Sequence, residues 1–328
     1  MSSVGYQPLV SVVIATYNRA ALVKRAVESA LAQTETRLEI VVSDDCSPDN
    51  TFEVLNALGD LRVRVQRQPA NVGVWENWTA ALHRARGEFI IFLGDDDWLT
   101  PNFITTHLDL LEQDQTLAAT FSPMTEVSSH GEPGRRFVPE LPVRARTGQL
   151  AFLRPVLTSN LFFGAAVFRR ETAIRFWNQT RADDWVADVG LMLRMALDPT
   201  VTVSAVEGCE YFKTMSQRNS AHAQLSGQYL KVTRALHDVL VRVMPLSRSP
   251  ATSRLLAREA SQQGIVLARH HAAAGDPSNC RRWLWKSAQL APVQLVVWSQ
   301  LLQTYLCPAR LMATAKQQRV PDSSPYEA

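Results

Sequence analysis

Short apolar segments rich in β-branched residues alternate with segments of helical periodicity between residues 9 and 124 of this chain. The segments "LVSVVIA", "LEIVVSDD", "LRVRVQRQ", "GEFIIFLGD" and "LAATFSPM" have the length and composition of strands. Between them, stretches such as "RAALVKRAVESALAQ" place apolar residues at the spacing of an amphipathic helix. Strands that alternate with helices form a mainly parallel sheet with helices on both faces, so the pattern predicts an α/β sandwich.

The pattern changes twice further along the chain. Residues 126–148 are rich in Gly, Pro and Arg, which predicts a loop or a mobile lid, and strand and helix patterns return from "NLFFGAAVFRRE" to "TVTVSAV". Beyond about residue 221 only helical patterns remain. We therefore predict an α/β domain over residues 1–220 and an all-helical region over residues 221–328.

Composition excludes several classes of protein. The 328 residues are 46% hydrophobic with a net charge of +3, and no long basic block is present, so a nucleic acid partner is not expected. The 4 cysteines form no CxxC pair, which fits a reducing compartment. The start lacks the pattern of a signal peptide, and no apolar run reaches transmembrane length. These features predict a cytoplasmic protein.

Polar clusters follow each of the first four predicted strands: "ATYNR", "SDDCSPDN", "PANVGVWEN" and "GDDDW". Ligands of open α/β sheets bind beyond the carboxyl ends of the strands, so these clusters predict one ligand site at that edge. The cluster "ATYNR" offers a hydroxyl, an aromatic ring and an amide, which suit a nucleobase or ribose. No glycine-rich phosphate loop follows the first strand.

Three adjacent carboxylates, Asp95, Asp96 and Asp97, follow the fourth strand, where their mutual repulsion opposes folding unless a positive charge offsets it. If this segment is extended, Asp95 and Asp97 share one face. Two carboxylates at a strand end form a hard-oxygen site for Mg²⁺ or Mn²⁺. The alternative is a turn whose acids precede a helix opened by Thr100 and Pro101.

Two further acidic positions are candidates. Asp44 and Asp45 end the second strand, where a carboxylate can accept a hydrogen bond from a ribose hydroxyl or a base; an Asx turn with Ser47 is the alternative. Asp188 lies on an otherwise apolar helix face, as a desolvated general base with a raised pKa would. The alternative for Asp188 is a solvated residue of the first helical turn.

Six segments in this order resemble the family 2 glycosyltransferases, which are inverting enzymes of the GT-A (Rossmann-like) fold. They are "SVVIATYNR", "IVVSDDCSPDNT", "NVGVWENWTAAL", "GEFIIFLGDDDWL", "FFGAAVFRRE" and "WVADVGLMLRMA", and the resemblance covers about residues 8–215. It implies transfer of one sugar, with inversion, from a nucleotide-diphosphate sugar to an acceptor hydroxyl. A UDP-sugar donor, a glycan, lipid-linked or other hydroxyl acceptor, and a place in bacterial surface polysaccharide or glycan biosynthesis are implied as well.

The resemblance also implies roles for individual residues. It assigns Asp188 as the general base and matches "DDD" to the metal-binding DxD motif, with Asp95 and Asp97 on Mn²⁺ or Mg²⁺. The implied nucleotide-sugar-binding residues are Thr16, Tyr17, Asn18, Asp44, Asp45, Asn71, Gly73, Asp95 and Asp96.

The chain departs from the family pattern at two positions. Ala187 replaces a usual Glu, and Met215 stands where many members carry a metal-binding His, which His222 could replace. A catalytically silent nucleotide-sugar-binding scaffold is therefore one alternative function. A nucleotidyltransferase is another, although it would be expected to have an early glycine-rich loop.

The C-terminal helical region is basic and rich in tryptophan. Residues 280–311 combine Arg281, Arg282 and Lys286 with Trp283, Trp285 and Trp298. This composition is typical of helices that lie in a membrane interface, so peripheral contact with the inner face of the membrane is one interpretation. Packing on the catalytic domain or on a second copy of the chain, as in a homo-oligomer, is the other.

Overall fold

The computed structural model describes residues 9–128, 132–158, 161–214, 227–292 and 297–301. The chain divides into two compact units, residues 1–224 and residues 225–328. Our predicted domain boundary at residues 220 and 221 lies outside the described residues, as do Met215 and His222.

Twelve strands and ten helices position the residues discussed below. The strands are β1 (Val10–Thr16), β2 (Leu38–Asp44), β3 (Val63–Arg67), β4 (Phe89–Phe92), β5 (Trp98–Leu99), β6 (Leu117–Phe121), β7 (Met124–Val127), β8 (Pro133–Phe137), β9 (Thr147–Gly148), β10 (Ala166–Arg169), β11 (Thr202–Ala205) and β12 (Tyr211–Thr214). The helices are α1 (Ala20–Leu31), α2 (Thr51–Asn56), α3 (Val74–Arg84), α4 (Phe103–Gln113), α5 (Gln149–Leu157), α6 (Arg170–Trp177), α7 (Ala187–Leu197), α8 (Gly227–Val243), α9 (Pro250–Ala273) and α10 (Pro277–Leu290).

The main sheet of the first unit has eight strands in the order β3-β2-β1-β4-β10-β6-β11-β9. The strands β3, β2, β1 and β4 are parallel, and Val12 of β1 pairs with Ile40 of β2 and with Ile91 of β4. The strand β10 is antiparallel to both of its neighbours, while β11 is parallel to β6. The prediction of a mainly parallel α/β sheet of the GT-A type is therefore confirmed.

The core lies on both faces of the central strands. All four residues of β4 are buried, as expected for a strand that reads as apolar on both faces. On α1, the residues Val23, Ala26, Val27 and Ala30 are buried, and they follow the helical spacing seen in the sequence. The parallel strands are thus held so that their carboxyl ends meet at one edge.

A second sheet, in the order β5-β12-β7-β8, lies beside this edge and positions Tyr211 and Thr214 of β12. The sequence predicts a loop over residues 126–148, but this segment contains β8 and β9. The sequence also predicts that Thr100 opens α4. Instead α4 begins at Phe103, and the hydroxyl of Thr100 accepts a hydrogen bond from the Glu210 amide (3.0 Å).

The second unit is built from helices. The helices α8, α9 and α10 pack together, with Leu267 of α9 and Trp283 and Leu284 of α10 in a common apolar cluster. Asp276 caps α10 by accepting a hydrogen bond from the amide of Asn279 (3.0 Å). Within the described part of the chain, every helix is too short or too polar to cross a lipid bilayer.

Candidate functional site

A cleft of about 670 Å³ opens at the carboxyl ends of the parallel strands. It is lined by residues that follow β1, β2, β3 and β4, together with the first turn of α7. The predicted site residues that line it are Thr16, Tyr17, Asp45, Asn71, Gly73, Asp95, Asp97 and Asp188. Asn18, Asp44 and Asp96 do not line the cleft. The side chain of Asp96 contacts Arg19, which does line it, whereas Asn18 and Asp44 both contact Ser47.

The acidic triplet forms a turn. The amide of Asp97 donates to the carbonyl of Gly94 (3.1 Å), and this bond closes a turn through Asp95 and Asp96. The segment is therefore a turn, as in the alternative given above, and not an extended strand. Because the chain reverses here, the side chains of Asp95 and Asp97 contact different partners at the cleft wall.

Asp95 binds an arginine that the sequence patterns did not single out. Its Oδ1 lies 2.6 Å from Nη1 of Arg19, and its Oδ2 accepts a hydrogen bond from Oγ1 of Thr16 (2.9 Å). The same Arg19 nitrogen is 3.0 Å from Oδ2 of Asp96. Burial raises the pKa of Asp95, and the charge of Arg19 offsets this only in part. The positive charge expected beside the triplet is supplied here by Arg19, the last residue of "ATYNR".

Asp97 is held from the second sheet. The hydroxyl of Tyr211 donates to its Oδ2 (2.5 Å), and the amide of Thr214 donates to its Oδ1 (2.8 Å). Burial, together with the neighbouring charge of Asp96, raises the pKa of Asp97 to about 7. A carboxylate this costly to ionise is stabilised when a cation binds it.

Arg25 supports the turn from the other side. Its Nη2 donates to the carbonyl of Asp96 (2.5 Å) and to Oγ1 of Thr214 (2.8 Å). The guanidinium lies 4.1 Å from the ring centroid of Trp98, a cation–π contact. The turn is therefore fixed between α1 and β12.

The carboxylates of Asp95 and Asp97 are ligands of the type that a divalent cation such as Mg²⁺ prefers. Both line the cleft, and each carboxylate oxygen keeps a lone pair beyond its hydrogen bond. The described residues contain no cluster of three or more His, Cys, Asp or Glu side chains able to hold a metal ion. Two carboxylates completed by diphosphate oxygens and water form the coordination shell that Mg²⁺ commonly takes in nucleotide sites.

The two carboxylates at the end of β2, Asp44 and Asp45, have different hydrogen-bond partners. Asp44 is fully buried; its Oδ1 accepts from the amide of Ser47 (3.1 Å), as the Asx-turn alternative predicts. Its Oδ2 has no hydrogen-bond partner among the described residues and lies 3.7 Å from Nε of Arg67. Asp45 accepts hydrogen bonds from the amides of Val72 (2.7 Å) and Gly73 (3.0 Å). Asp45 therefore shapes the loop that carries Asn71.

A buried amide joins the ends of β1 and β2. Nδ2 of Asn77 donates to the carbonyls of Ser43 (3.0 Å) and Thr16 (3.3 Å). Its helix, α3, begins just after Gly73, whose φ of 89° is one that glycine adopts without strain. The sequence patterns did not single out Asn77, although an amide among apolar positions of a helix was a signal for it.

Asp188 is the second residue of α7, and its part-buried side chain lines the cleft beside Ala187. Burial raises the pKa of Asp188, while the neighbouring backbone amide of Val189 and the charge of Lys213 act in the opposite direction. A carboxylate with a raised pKa in a cleft is suited to accept a proton from a bound hydroxyl.

One wall of the cleft is aromatic, and the sequence patterns did not indicate it. The rings of Trp75 and Trp177 stack in parallel with centroids 6.2 Å apart. Their indole N–H groups donate to the hydroxyls of Thr180 (3.0 Å) and Thr79 (2.8 Å), respectively. Both donors are satisfied within the protein, so these rings present apolar surface to the cleft.

The family model described as "Glycosyl transferase family 2" matches residues 11–177, which is more than half of the chain. The hyaluronan synthase of Pasteurella multocida is 38% identical over 132 residues, covering 40% of this chain and 14% of the synthase. The glucosyltransferase WfaP of Escherichia coli, which transfers to α-D-GlcNAc-diphosphoundecaprenol by its name, is 34% identical over 107 residues. That match covers 33% of this chain and 43% of WfaP. Each match thus spans less than half of the relative's own length.

Solved structures share the fold across nearly the whole chain. TarS 1–349 of S. aureus, in complex with UDP-GlcNAc, superposes with a TM-score of 0.67 at 15% identity and covers 94% of this chain and 90% of TarS 1–349. The mannosyltransferase PcManGT of Pyrobaculum calidifontis, in complex with GDP-Man and Mn²⁺, gives a TM-score of 0.53 at 15% identity, covering 97% and 89%. The strand order and the family match agree, and the chain belongs to glycosyl transferase family 2.

Proposed function

We propose that this protein transfers one sugar from a UDP-sugar to an acceptor hydroxyl and inverts the anomeric configuration. One observation carries the proposal: a single cleft contains a desolvated carboxylate, Asp188, and the acidic turn of Asp95 and Asp97. An inverting transferase needs one group to accept the acceptor's proton and another to stabilise the leaving diphosphate.

The donor nucleotide is proposed to bind at the ends of β1, β2 and β3. Thr16 and Tyr17 would contact it at the end of β1, Asp45 after β2, and Asn71 and Gly73 from the loop after β3. Asn18 and Asp44, which do not line the cleft, would support this lining from behind. Asp44 is fully buried and pairs with Arg67, so Asp45, which lines the cleft, is the carboxylate proposed to meet the base or ribose. TarS binds UDP-GlcNAc, which favours a UDP-sugar.

Asp95 and Asp97 are proposed to hold Mn²⁺ or Mg²⁺, with Asp95 beside the donor sugar and Asp96 behind the lining, where it contacts Arg19. PcManGT binds Mn²⁺ with its donor, which supports a cation in the same fold. When bound, a divalent cation neutralises the charge that develops on the leaving nucleoside diphosphate. The protein's part is to keep two carboxylates fixed, through Tyr211 and Thr214 for Asp97 and through Thr16 for Asp95.

Asp188 is proposed to act as the general base. Its carboxylate accepts the proton of the acceptor hydroxyl as that oxygen bonds to the anomeric carbon, while the bond from this carbon to the diphosphate oxygen breaks. The nucleophile and the leaving group occupy opposite sides of the carbon, so the configuration inverts. The raised pKa of Asp188 brings its basicity closer to neutral pH, where proton transfer is more favourable.

The acceptor is proposed to be a glycan or a lipid-linked sugar of bacterial surface polysaccharide synthesis. This rests on relatives such as WfaP, whose name prints a diphosphoundecaprenol-linked acceptor. The aromatic wall at Trp75 and Trp177 is consistent with it, because the apolar face of a sugar ring packs on an aromatic face.

Thermal-shift screening against UDP-, GDP- and dTDP-sugars, each with and without Mn²⁺, tests the proposal. We expect a UDP-sugar to raise the melting temperature more in the presence of Mn²⁺, because a ligand that binds only the folded state stabilises it. The same donor should then release UDP in a hydrolysis assay, with Asp188→Asn as the inactive control. Binding without UDP release or transfer to any acceptor would favour the silent scaffold instead.

A further inference from the structure

A buried ion pair lies directly behind the part of the cleft that carries Asp188. Asp183 belongs to a 3₁₀ segment, Arg181–Val186, that leads into α7, and Arg194 lies on α7 itself. The two side chains are at most 5% exposed. Nη1 of Arg194 bonds Oδ2 of Asp183, and Nη2 lies 3.3 Å from Oδ1, so two guanidinium nitrogens meet two carboxylate oxygens.

The same arginine also binds the first turn of α7. Nη1 of Arg194 donates to the carbonyl of Gly190 (2.8 Å). A Cβ at position 190 would lie 2.9 Å from this nitrogen and 2.9 Å from Cγ of Asp183, and it would be closer still to Oδ2 of Asp183. The carboxylate of Asp183 therefore occupies the volume that a side chain at position 190 would fill. Gly190 is required for this pair.

The segment before α7 is also fixed at its other end. The amide of Asp183 donates to the carbonyl of Thr180 (2.7 Å), and the hydroxyl of Thr180 accepts from Nε1 of Trp75 (3.0 Å). Asp188 lies in the chain between Asp183 and Gly190, both of which contact Arg194. Its backbone is thus held on both sides by one guanidinium.

Stability alone is a poor explanation for this pair. Burying two charges costs desolvation, and well-packed apolar side chains of similar volume stabilise a fold at least as well. The flanking residues Leu191, Leu193 and Met195 of α7 are apolar and fully buried, so an apolar solution is available there. A bidentate pair instead supplies fixed geometry, because the planar guanidinium matches a carboxylate in one orientation.

We propose that the Asp183–Arg194 pair positions Asp188. It sets the direction of the first turn of α7, so that the carboxylate of Asp188 faces the acceptor side of the cleft. Asp183 and Arg194 are positioning residues, because they act on the reaction only through Asp188. The proposal rests on the proposed function, in which Asp188 accepts the proton.

The test uses UDP-GlcNAc hydrolysis by the chain of residues 1–328, with water as the acceptor and UDP release as the signal. Asp183→Asn keeps the shape of the side chain and removes its charge, so we expect kcat to fall at least tenfold. The KM and the calorimetric Kd for UDP-GlcNAc should stay within twofold of the wild type. Arg175→Gln is the matched control, since it breaks the exposed pair with Asp198 at the far end of α7 and should leave kcat unchanged.

A relocated carboxylate separates positioning from folding. The double variant Asp183→Ala with Gly190→Asp removes the carboxylate at position 183 and places one at position 190. The new side chain occupies the volume that Asp183 vacates and can bind Arg194, one helical turn away. This variant keeps a buried ion pair, but both partners lie on α7 and the link to the 3₁₀ segment is lost, so we expect it to regain the melting temperature and not kcat. If Asp183→Asn does not fold, a folded double variant with kcat at least tenfold below that of the wild type still supports the proposal.

Three results would overturn it: an unchanged kcat in folded Asp183→Asn, an equal loss of donor affinity, or a double variant with the kcat of the wild type. Asp188→Asn, assayed in parallel, distinguishes this failure from failure of the proposed function. If Asp188→Asn hydrolyses the donor at the wild-type rate, the assignment of the base is wrong. If it is inactive while Asp183→Asn is fully active, only the positioning role falls.

Discussion

The guanidinium of Arg19 lies 2.6 Å from Oδ1 of Asp95, which belongs to the acidic turn. Both residues line the cleft. The guanidinium also contacts Asp96 at 3.0 Å, so one fixed positive charge serves two of the three adjacent carboxylates. In the metal site proposed above, a divalent cation would share the carboxylate of Asp95 with Arg19. We therefore expect Arg19 to compete with the cation for this carboxylate.

Arg19→Gln should tighten Mn²⁺ binding in the absence of nucleotide. Removing one unit charge that contacts the carboxylates of a partly exposed cation site changes the binding free energy by on the order of 1 to 3 kcal/mol, so we expect about a tenfold lower Kd. Isothermal titration with MnCl₂ measures it. Arg62→Gln, which breaks an ion pair with Asp60, is the control and should bind Mn²⁺ as the wild type does. Unchanged or weaker binding by Arg19→Gln would refute the competition.

Asp188→Asn should abolish sugar transfer and leave donor binding nearly intact. Loss of a general base typically costs about 10²- to 10⁴-fold in rate, and the amide can still pack where the carboxylate did. The kcat from UDP release and the Kd from calorimetry give the two quantities. Poor donor binding by a folded variant would contradict the role of Asp188 as the base.

The pH profile of the wild-type rate should reflect the same residue. A general base works when it is deprotonated, and burial raises the pKa of Asp188. The rate should therefore rise with pH along an acidic limb whose midpoint lies above 3.8, the ordinary pKa of an aspartate side chain. Rates measured between about pH 4 and pH 8 with saturating donor test this, and a flat profile across that range would count against it.

His107 should make the protein less stable in acid. The ring is fully buried beside Thr120, and burial lowers its pKa to about 3 from 6.5. Between pH 6.5 and pH 3, His107 is protonated in the unfolded chain but stays neutral in the folded chain. The free energy of unfolding therefore falls as the pH falls through this range. This contribution is about 1.4 kcal/mol per pH unit. Urea unfolding of His107→Phe at several pH values should show the wild-type slope reduced by about this amount.

Asp97 should make the protein less stable as the pH rises, which is the opposite of the effect of His107. Its pKa is about 7 in the folded protein and 3.8 when the side chain is solvated as in the unfolded chain, so the folded chain holds an extra proton between these values. Its contribution is fully present below pH 3.8 and is lost as the pH rises towards 7. In metal-free buffer, Asp97→Asn should remove this loss. The free energy of unfolding of the variant should therefore increase relative to that of the wild type as the pH rises. An identical pH slope for both proteins would exclude the raised pKa.

Local sequence determined the architecture and most of the site. The β-branched runs of β1, β2 and β4 and the helical spacing of α1 specify a buried parallel sheet, because both patterns depend on which faces lose contact with water. A parallel sheet then brings the segments after its strands to one edge. For this reason the polar clusters that contain Thr16, Asp45, Asn71 and Asp95 could be assigned to one site from their order, while the choice of these residues within the clusters came from the family resemblance.

Only the tertiary structure decided how the charged side chains pair. Asp97 meets Tyr211, Asp95 meets Arg19 and Asp183 meets Arg194, and the first two pairs join residues far apart in the chain. The turn at the acidic triplet, rather than an extended strand, selects these partners. The periodicity of a sequence records which side of an element is buried, whereas the partner of a buried charge depends on which other elements pack there, and local spacing carries no information about that.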